Sequence, residues 1–579
     1  MALRVPQSNG PQLFKEGYKN LQGLEEVILR NIQATKEMSE ITRTSFGPNG
    51  RNKMVVNHLE KLLVTNDAAT IIREIEVIHP AAKLLVMASQ QQEAEAGDGT
   101  NYVIIFASEL LQRAEPLLRM GLHPSEIARG YEQALKAAVK ALDGLALEEQ
   151  VDLQSAEGRQ KGLLDVVKTA VASKQYGQEN MLGALVAEAV QAAMPRDASR
   201  FNVDNVRVVK VMGGSLAQSR VEHGMVLGRA PDTAVTAARF AKVAVFACPF
   251  DIGQTETKGT VLLHSASEML DYTKGEEAQM ATVVRELADA EVKVVVCGAG
   301  LGDLAVHYLD RHGILALRVG SKFDLRRLCR LVGANALARL GVPTAEEMGY
   351  CDEVRTTEIG GDRVTVVRQL PSSPEVDSQR PAFADRVQRA PLATVVLRGA
   401  TQNALDDAER AVDDGVNVVK ALTKDTRLVP GACAAEMELA RLVQEAADRT
   451  AGIAQHAIKA FAQALEVFAR TMGDNAGVDS TALVAKLTAA HHSGNKASAE
   501  ALVGANIGVD VDCDHEPRVV DALERRILDP LAVKQWALTY ATQAALTVLQ
   551  VDQIVMAKTA GGPKLPQQRQ NGGHWDDDD

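Results

Sequence analysis

Residues Val292–Val319 read VKVVVCGAGLGDLAVHYLDRHGILALRV. A β-branched run, a glycine-rich turn, an amphipathic stretch and a second apolar run follow one another, which predicts strand, helix, strand. Further β-rich runs lie upstream at Val206–Val211 and Val243–Ala247, and helical stretches are predicted at Ala266–Ala290, Leu304–Asp310 and Leu325–Leu331. Together these make a β-α-β-α-β series, the pattern of a parallel α/β unit. The flanks differ. Before about residue 200 the apolar spacing is helical: Leu24, Val27, Ile28, Ile32, Met38 and Ile41 recur at 3.6 residues, and Thr100–Leu118 and Ile127–Leu142 continue it. After about residue 404 it is helical again, through Ala404–Leu422, Glu436–Ala447, Ala457–Arg470 and Leu531–Val551. Helix, α/β, helix implies that the middle interrupts one helical domain, so the ends of the insert must lie close together.

Composition narrows the function. The chain has 579 residues and a net charge of −12, from 63 basic and 75 acidic side chains. That balance argues against nonspecific nucleic-acid binding, which needs a basic face. Aromatics at 4% disfavour a base-stacking single-strand binder. With 46% hydrophobic residues the chain reads as globular. No apolar run is long enough to span a bilayer, and Met1–Pro6 has no signal-peptide apolar core. The six cysteines form no Cys-x-x-Cys, so free buried thiols in a reducing compartment are expected. His307 and His312, and the pair His491–His492, read as ordinary surface or helix histidines. The stretch 369–391, with Pro371, Pro374, Pro381 and Pro391, reads as a long loop, and the tail from Gly561, ending in four aspartates, as solvated.

The dipeptide Gly-Lys never occurs, which excludes a P-loop NTPase. Gly300–Ala305 fits the dinucleotide fingerprint, with Asp324 where a ribose-binding acid belongs. Its plain reading is a glycine turn between strand and helix, because Gly298 and Ala299 displace it from the strand end. Gly97-Asp98-Gly99-Thr100-Asn101 directly precedes a strong helix. Free amides at a helix start bind phosphate, glycines allow close approach, and an aspartate there can hold Mg²⁺; the same residues also make a simple N-cap. Ser45–Gly50 looks like a second backbone-approach loop, and Asp67 follows the apolar run Leu62–Val64. On the helix containing Asp413 and Asp414, the 3.6 period sets Asp414 at the flank of the apolar face and Asp413 further out.

These segments resemble the group II chaperonins. The matches fall in family order at 44–50, 65–70, 97–101, 399–401, 409–414 and 430–434, and the resemblance covers roughly residues 12–560. Gly23–Glu26, Asn57–Lys61, Ser173–Gly177, Glu256–Thr260, Asp271–Glu277 and Ala557–Lys564 are similar to one subunit type of the eukaryotic cytosolic branch. The resemblance implies a multidomain α+β fold. A mainly helical equatorial ATP-binding domain would span 1–145 and 412–560, and a small intermediate hinge 146–216 and 373–411. An inserted α/β apical domain would span 217–372, with a disordered acidic tail at 561–579. It implies a cytoplasmic ATP-dependent folding subunit in a double ring of paralogous chains. Its clients would be unfolded polypeptides, cytoskeletal proteins such as actin and tubulin among them, with no nucleic-acid or membrane partner. ATP or ADP and Mg²⁺ would bind, with Asp98 as metal ligand. Phe46 and Gly47 would lie against the nucleotide, and Gly99, Thr100 and Asn101 would form the phosphate loop. Asp414 and Asp67 would flank the attacking water. Lys174 would sense the γ-phosphate, and Gly431, Asp529 and Lys534 would serve the sugar and base.

The chain departs from the family pattern at several points. Ala68, Ala400, Ala432 and Cys433 replace glycines, Asn101 replaces Thr, and Asp413 stands where His is usual. Each lost glycine removes freedom at φ > 0, and Asp413 is expected to raise the pKa of Asp414. Slower ATP turnover than in a consensus subunit is the expectation.

Overall fold

The computed structural model describes residues 19–21, 24–57, 60–148, 151, 156–195, 197–251, 265–370, 380–381, 384, 391–492, 504–512 and 516–556. The tail 561–579, Cys513, the stretch Glu256–Thr260 and most of the proline-rich 369–391 lie outside these residues.

The apolar stripes sort the helices into separate cores. One core gathers Leu24–Arg43, Pro80–Ala96, Thr100–Arg119 and Pro124–Gly144 from the first part of the chain. Ala434–Arg449, Ala454–Leu465, Val467–Ala476, Ser480–His492 and Leu531–Leu549 join them from the last part. Phe106, Tyr131, Phe461, Phe468 and Leu538 are fully buried at its centre. The expected single helix Ala457–Arg470 is two helices, broken at Glu466.

A second core lies under the strands Val206–Met212 and Ala393–Gly399 and is covered by the helices Ala156–Ala172, Glu179–Ala193 and Gln402–Lys424. Val412, Val416, Val419 and Leu422 pack here, so residue 412 falls in the middle of one continuous helix. The two strands pair in parallel, with Val206 opposite Ala393, and this sets the two ends of the middle segment side by side.

The middle is one mixed eight-stranded sheet. Its order is Val206–Met212, Ala393–Gly399, Arg220–Leu227, Asp362–Arg368, Gly349–Ile359, Ala237–Phe246, Val292–Cys297 and Leu315–Arg318. The parallel unit expected from sequence holds for the last three strands. The strands Arg220–Leu227, Asp362–Arg368 and Gly349–Ile359 pair antiparallel. Apolar side chains fill both faces, Val243, Val294 and Leu317 on one and Phe246, Val295 and Leu309 on the other. Among the described residues no helix is long and apolar enough to cross a membrane. Among the described residues, Cys248, Cys297, Cys329 and Cys433 are free thiols.

The fingerprint at Gly300–Ala305 carries no phosphate site. A Cβ on Gly302 would stand 3.0–3.3 Å from the carboxylate of Asp251, so an acid already occupies the position an anion would need. Asp324 is consumed as well: Arg207 and Arg327 both donate to its Oδ1.

Candidate functional site

The helix Thr100–Arg119 begins directly after two glycines in the left-handed region, Gly97 at φ +70° and Gly99 at φ +78°. Glycine adopts that region without the Cβ penalty. The first intrahelical bond runs from the Val103 amide to the Gly99 carbonyl, so the amides of Thr100, Asn101 and Tyr102 are not consumed by the helix ladder. Close packing also fixes the turn. A Cβ on Gly97 would lie 2.2 Å from Cβ of Asn417, on the helix that carries Asp414. Asp98 sits inside the turn and accepts the Gly99 amide on Oδ1 at 2.6 Å.

A cavity of about 230 Å³ opens in front of this turn. That is more than ten times the room one water needs. Asp98, Gly99, Thr100 and Asn101 line one wall, and Phe46 and Gly47 lie beside them. Gly47 is left-handed, at φ +80°. Asn475 holds this loop by donating to the Phe46 carbonyl at 2.7 Å. Asn101 donates to the Thr42 carbonyl at 3.1 Å, while its buried Oδ1 has no partner.

Lys174 enters from the loop after Ala156–Ala172 and joins the cavity to two carboxylates. Its Nζ is 2.5 Å from Asp67 Oδ1 and 3.3 Å from Asp414 Oδ2. Asn66 donates to the Lys174 carbonyl at 3.1 Å and secures the approach. Burial opposes the charge on Lys174, but Asp414 and Asp67 outweigh it and hold the proton more tightly than usual. Burial would also raise Asp67; Lys174 and the two bonds from Thr70 prevail and hold its carboxyl far below the carboxylate range. Asp67 thereby also caps the helix Ala68–Glu74. Asp414 is pushed well above the ordinary value, by burial first, with Asp98 and Asp67 adding to it and Lys174 offsetting only in part. Asp98 is raised too, chiefly by burial.

The 3.6-period placement holds, since Asp414 is half-buried and Asp413 exposed. The expected influence of Asp413 on Asp414 does not. Asp413 feels Glu409 and Lys210, whereas Asp414 feels Lys174, Asp98 and Asp67. The two side chains are about 100° apart on one helix and point to different surroundings.

The opposite wall comes from the turn Gly431–Cys433 and from Asp529 and Lys534. Gly431 is held by its amide bond to the Ile527 carbonyl at 2.9 Å, and a Cβ there would come within 3.2 Å of Asp529 Oδ2. Lys534 lies 2.9 Å from Asp529 and 2.5 Å from Glu436. Ala432 and Cys433 keep the left-handed backbone, at φ +51° and +63°, although neither is glycine. Ala68 and Ala400 take no positive φ, so glycine is not required at either place.

Every site residue named from the resemblance is therefore in or beside one cavity. Sequence reading missed Glu436 and Tyr102, which also line it; a Glu one turn into an amphipathic helix carries no signal of burial. His491 lies on a helix, one of the two places expected, but it is buried there between Glu438 Oε2 and the Ile507 carbonyl, 2.9 Å from each.

The donor set suits a phosphate ligand with a divalent cation. Three carboxylates, Asp67, Asp98 and Asp414, gather about one ammonium; burial and mutual repulsion raise two of them, and a bound cation would offset that and favour their ionised forms. Among the described residues no three His, Cys, Asp or Glu side chains form a metal cage. A single carboxylate completed by phosphate oxygens is the usual manner of Mg²⁺.

The chain is 53% identical to the probable T-complex protein 1 subunit theta of Schizosaccharomyces pombe over the full length of both. It is 47% identical to the T-complex protein 1 subunit theta of Homo sapiens and 47% identical to that of Saccharomyces cerevisiae, again over all of each chain. With residues 38–559 matching the TCP-1/cpn60 chaperonin family as well, from the first helix to beyond the last, the chain belongs to that family.

Proposed function

We propose that the chain is an ATP-hydrolysing subunit of a hetero-oligomeric cytosolic chaperonin, which binds unfolded polypeptides through its middle segment and couples nucleotide state to closure. Family membership makes it a chaperonin subunit acting in protein folding. The observation that carries the hydrolytic part is the meeting of Lys174, Asp67 and Asp414 beside the Gly97–Asn101 turn. Lys174 follows one helix of the second core and Asp414 lies on another, whereas Asp67 and Asp98 flank helices of the first. A rotation of one core against the other would assemble or dismantle this group, which is how a hydrolytic step couples to a lid.

The amides at the start of Thr100–Arg119 would hold the phosphates. Asp98 would hold Mg²⁺, which when bound neutralises phosphate charge. Asp414 would orient the attacking water and take its proton; a raised pKa suits a base that must accept one. Asp67, fixed by Thr70 and Lys174, would stay ionised and direct the same water. Phe46, Gly47, Gly431, Asp529 and Lys534 would enclose the sugar and base.

The test is the native mass of the tagged chain, with its co-purifying chains identified. A very large particle of several related chains is expected, a double ring of paralogues. A lone chain of about 62 kDa would overturn the reading.

A further inference from the structure

Glu436 is 2% exposed, yet it lines the nucleotide cavity. Its Oε1 takes the Lys534 ammonium at 2.5 Å, and the buried hydroxyl of Tyr102 faces the same carboxylate. A buried carboxylate is costly even when paired, so its retention beside Lys534 calls for a reason. Lys534 reaches on to Asp529 Oδ2 at 2.9 Å. Asp529 is the partly exposed member of the three.

The chain builds this series as a bracket. The strands Leu428–Pro430 and Leu528–Pro530 pair antiparallel, with Val429 opposite Asp529. Each strand leads within a few residues into a helix, Ala434–Arg449 and Leu531–Leu549. Glu436 and Lys534 lie in the first turns of those helices and tie them together. Lys534 thus engages Oδ2 of Asp529, on the side that faces Gly431, and Oδ1 is left for a ligand.

We infer that Glu436 is a positioning residue for sugar recognition: by drawing the Lys534 ammonium toward itself, it leaves one oxygen of Asp529 to accept from the hydroxyls of a ribonucleotide. Without the Glu436 charge, Lys534 would turn wholly to Asp529 and compete for both of its oxygens. A charge-assisted bond from a hydroxyl is the kind of contact whose loss separates a ribose from a 2′-deoxyribose. The inference rests on the nucleotide reading of the cavity.

The experiment labels this subunit with 8-azido-ATP in the assembly it purifies with, and competes with ATP or 2′-deoxyATP. The wild-type chain should prefer ATP by roughly ten- to a hundredfold. Glu436→Gln, isosteric and still able to accept from Lys534, should reduce that ratio to within about threefold of unity by weakening ATP more than its deoxy analogue. A merely structural role would weaken both nucleotides equally and leave the ratio unchanged, and that result overturns the inference while the nucleotide reading stands. Absence of specific labelling in the wild-type chain would overturn both.

Discussion

At Gly97–Thr100 the chain passes through the left-handed region on two glycines, at φ +70° and +78°, whereas across the cavity Ala432 and Cys433 hold φ +51° and +63° with side chains attached. Both walls need the same backbone. They differ in what stands behind it. Behind Gly97 is Asn417, so close that a Cβ would meet it at 2.2 Å. Behind Ala432 is Gly508, where a Cβ would lie 2.5 Å from the Ala432 carbonyl and 2.8 Å from its methyl group. Room for the alanine is therefore supplied by a glycine on the neighbouring strand Ile507–Val509. The phosphate wall is glycine by packing and by φ; the other wall bears only the φ cost, about 1–2 kcal/mol per residue.

The largest effect should come from the side chain that the phosphate wall positions. Asp414→Ala is expected to lower hydrolysis at this subunit by roughly 10²–10⁴-fold. Nucleotide binding should persist, because Lys174 keeps Asp67 as partner. Phosphate release from the labelled subunit measures it, and unchanged turnover would break the assignment. Gly97→Ala combines a clash with a left-handed φ and should cost about 2–4 kcal/mol. It should also slow hydrolysis, by displacing the helix that carries Asp414. A Gly97→Ala chain as stable as the parent would remove the contrast between the walls.

A third test sharpens the comparison from behind the Ala432 wall. Glu438, two residues beyond Glu436, accepts from Arg441 at 2.5 Å and lies 2.9 Å from His491. Burial would raise it, but His491 and Arg441 hold it down at about 2. Because the folded value lies below the unfolded one, Glu438 contributes stability above about pH 5, and that contribution is lost as pH falls toward 2. Glu438→Gln should cost about 3 kcal/mol at neutral pH. The deficit should shrink in acid, as read by hydrogen exchange in Ala434–Arg449. A deficit independent of pH would show that the ion pairs are not its source. The smallest effect is expected at Ala432→Gly. Relief of φ strain is partly cancelled by the entropy of glycine, leaving a gain of about 0.5–1 kcal/mol in unfolding free energy, read from the denaturant midpoint, and no loss of turnover. Destabilisation would mean that the alanine methyl contributes packing beyond its strain.

The two walls were also unequally legible. Gly97–Asn101 is read from sequence because glycines, a carboxylate and a helix start are local signals. The helical period likewise separates Asp414 from Asp413. The pairing of Lys174 with Asp67 spans 107 residues and has no local signature. Ala432 and Cys433 read as lost backbone freedom, yet the backbone kept its left-handed form, because the compensating Gly508 lies some 75 positions away. In the middle segment the parallel strands are dense β-branched runs and stand out. Arg220–Leu227 does not, since Glu222, His223 and Gly224 break its pattern, and Glu222 is buried only because Arg368 and Arg220 neutralise it.

The central claim is that this cavity holds the triphosphate against the Gly97–Asn101 turn. A density map of the assembled particle with Mg²⁺ and a non-hydrolysable ATP analogue tests it directly. Phosphate density at the amides of Thr100 and Asn101, with a cation against Asp98 and a water within reach of Asp414, is the predicted result. An empty cavity in this subunit, or phosphates seated away from that turn, would contradict it.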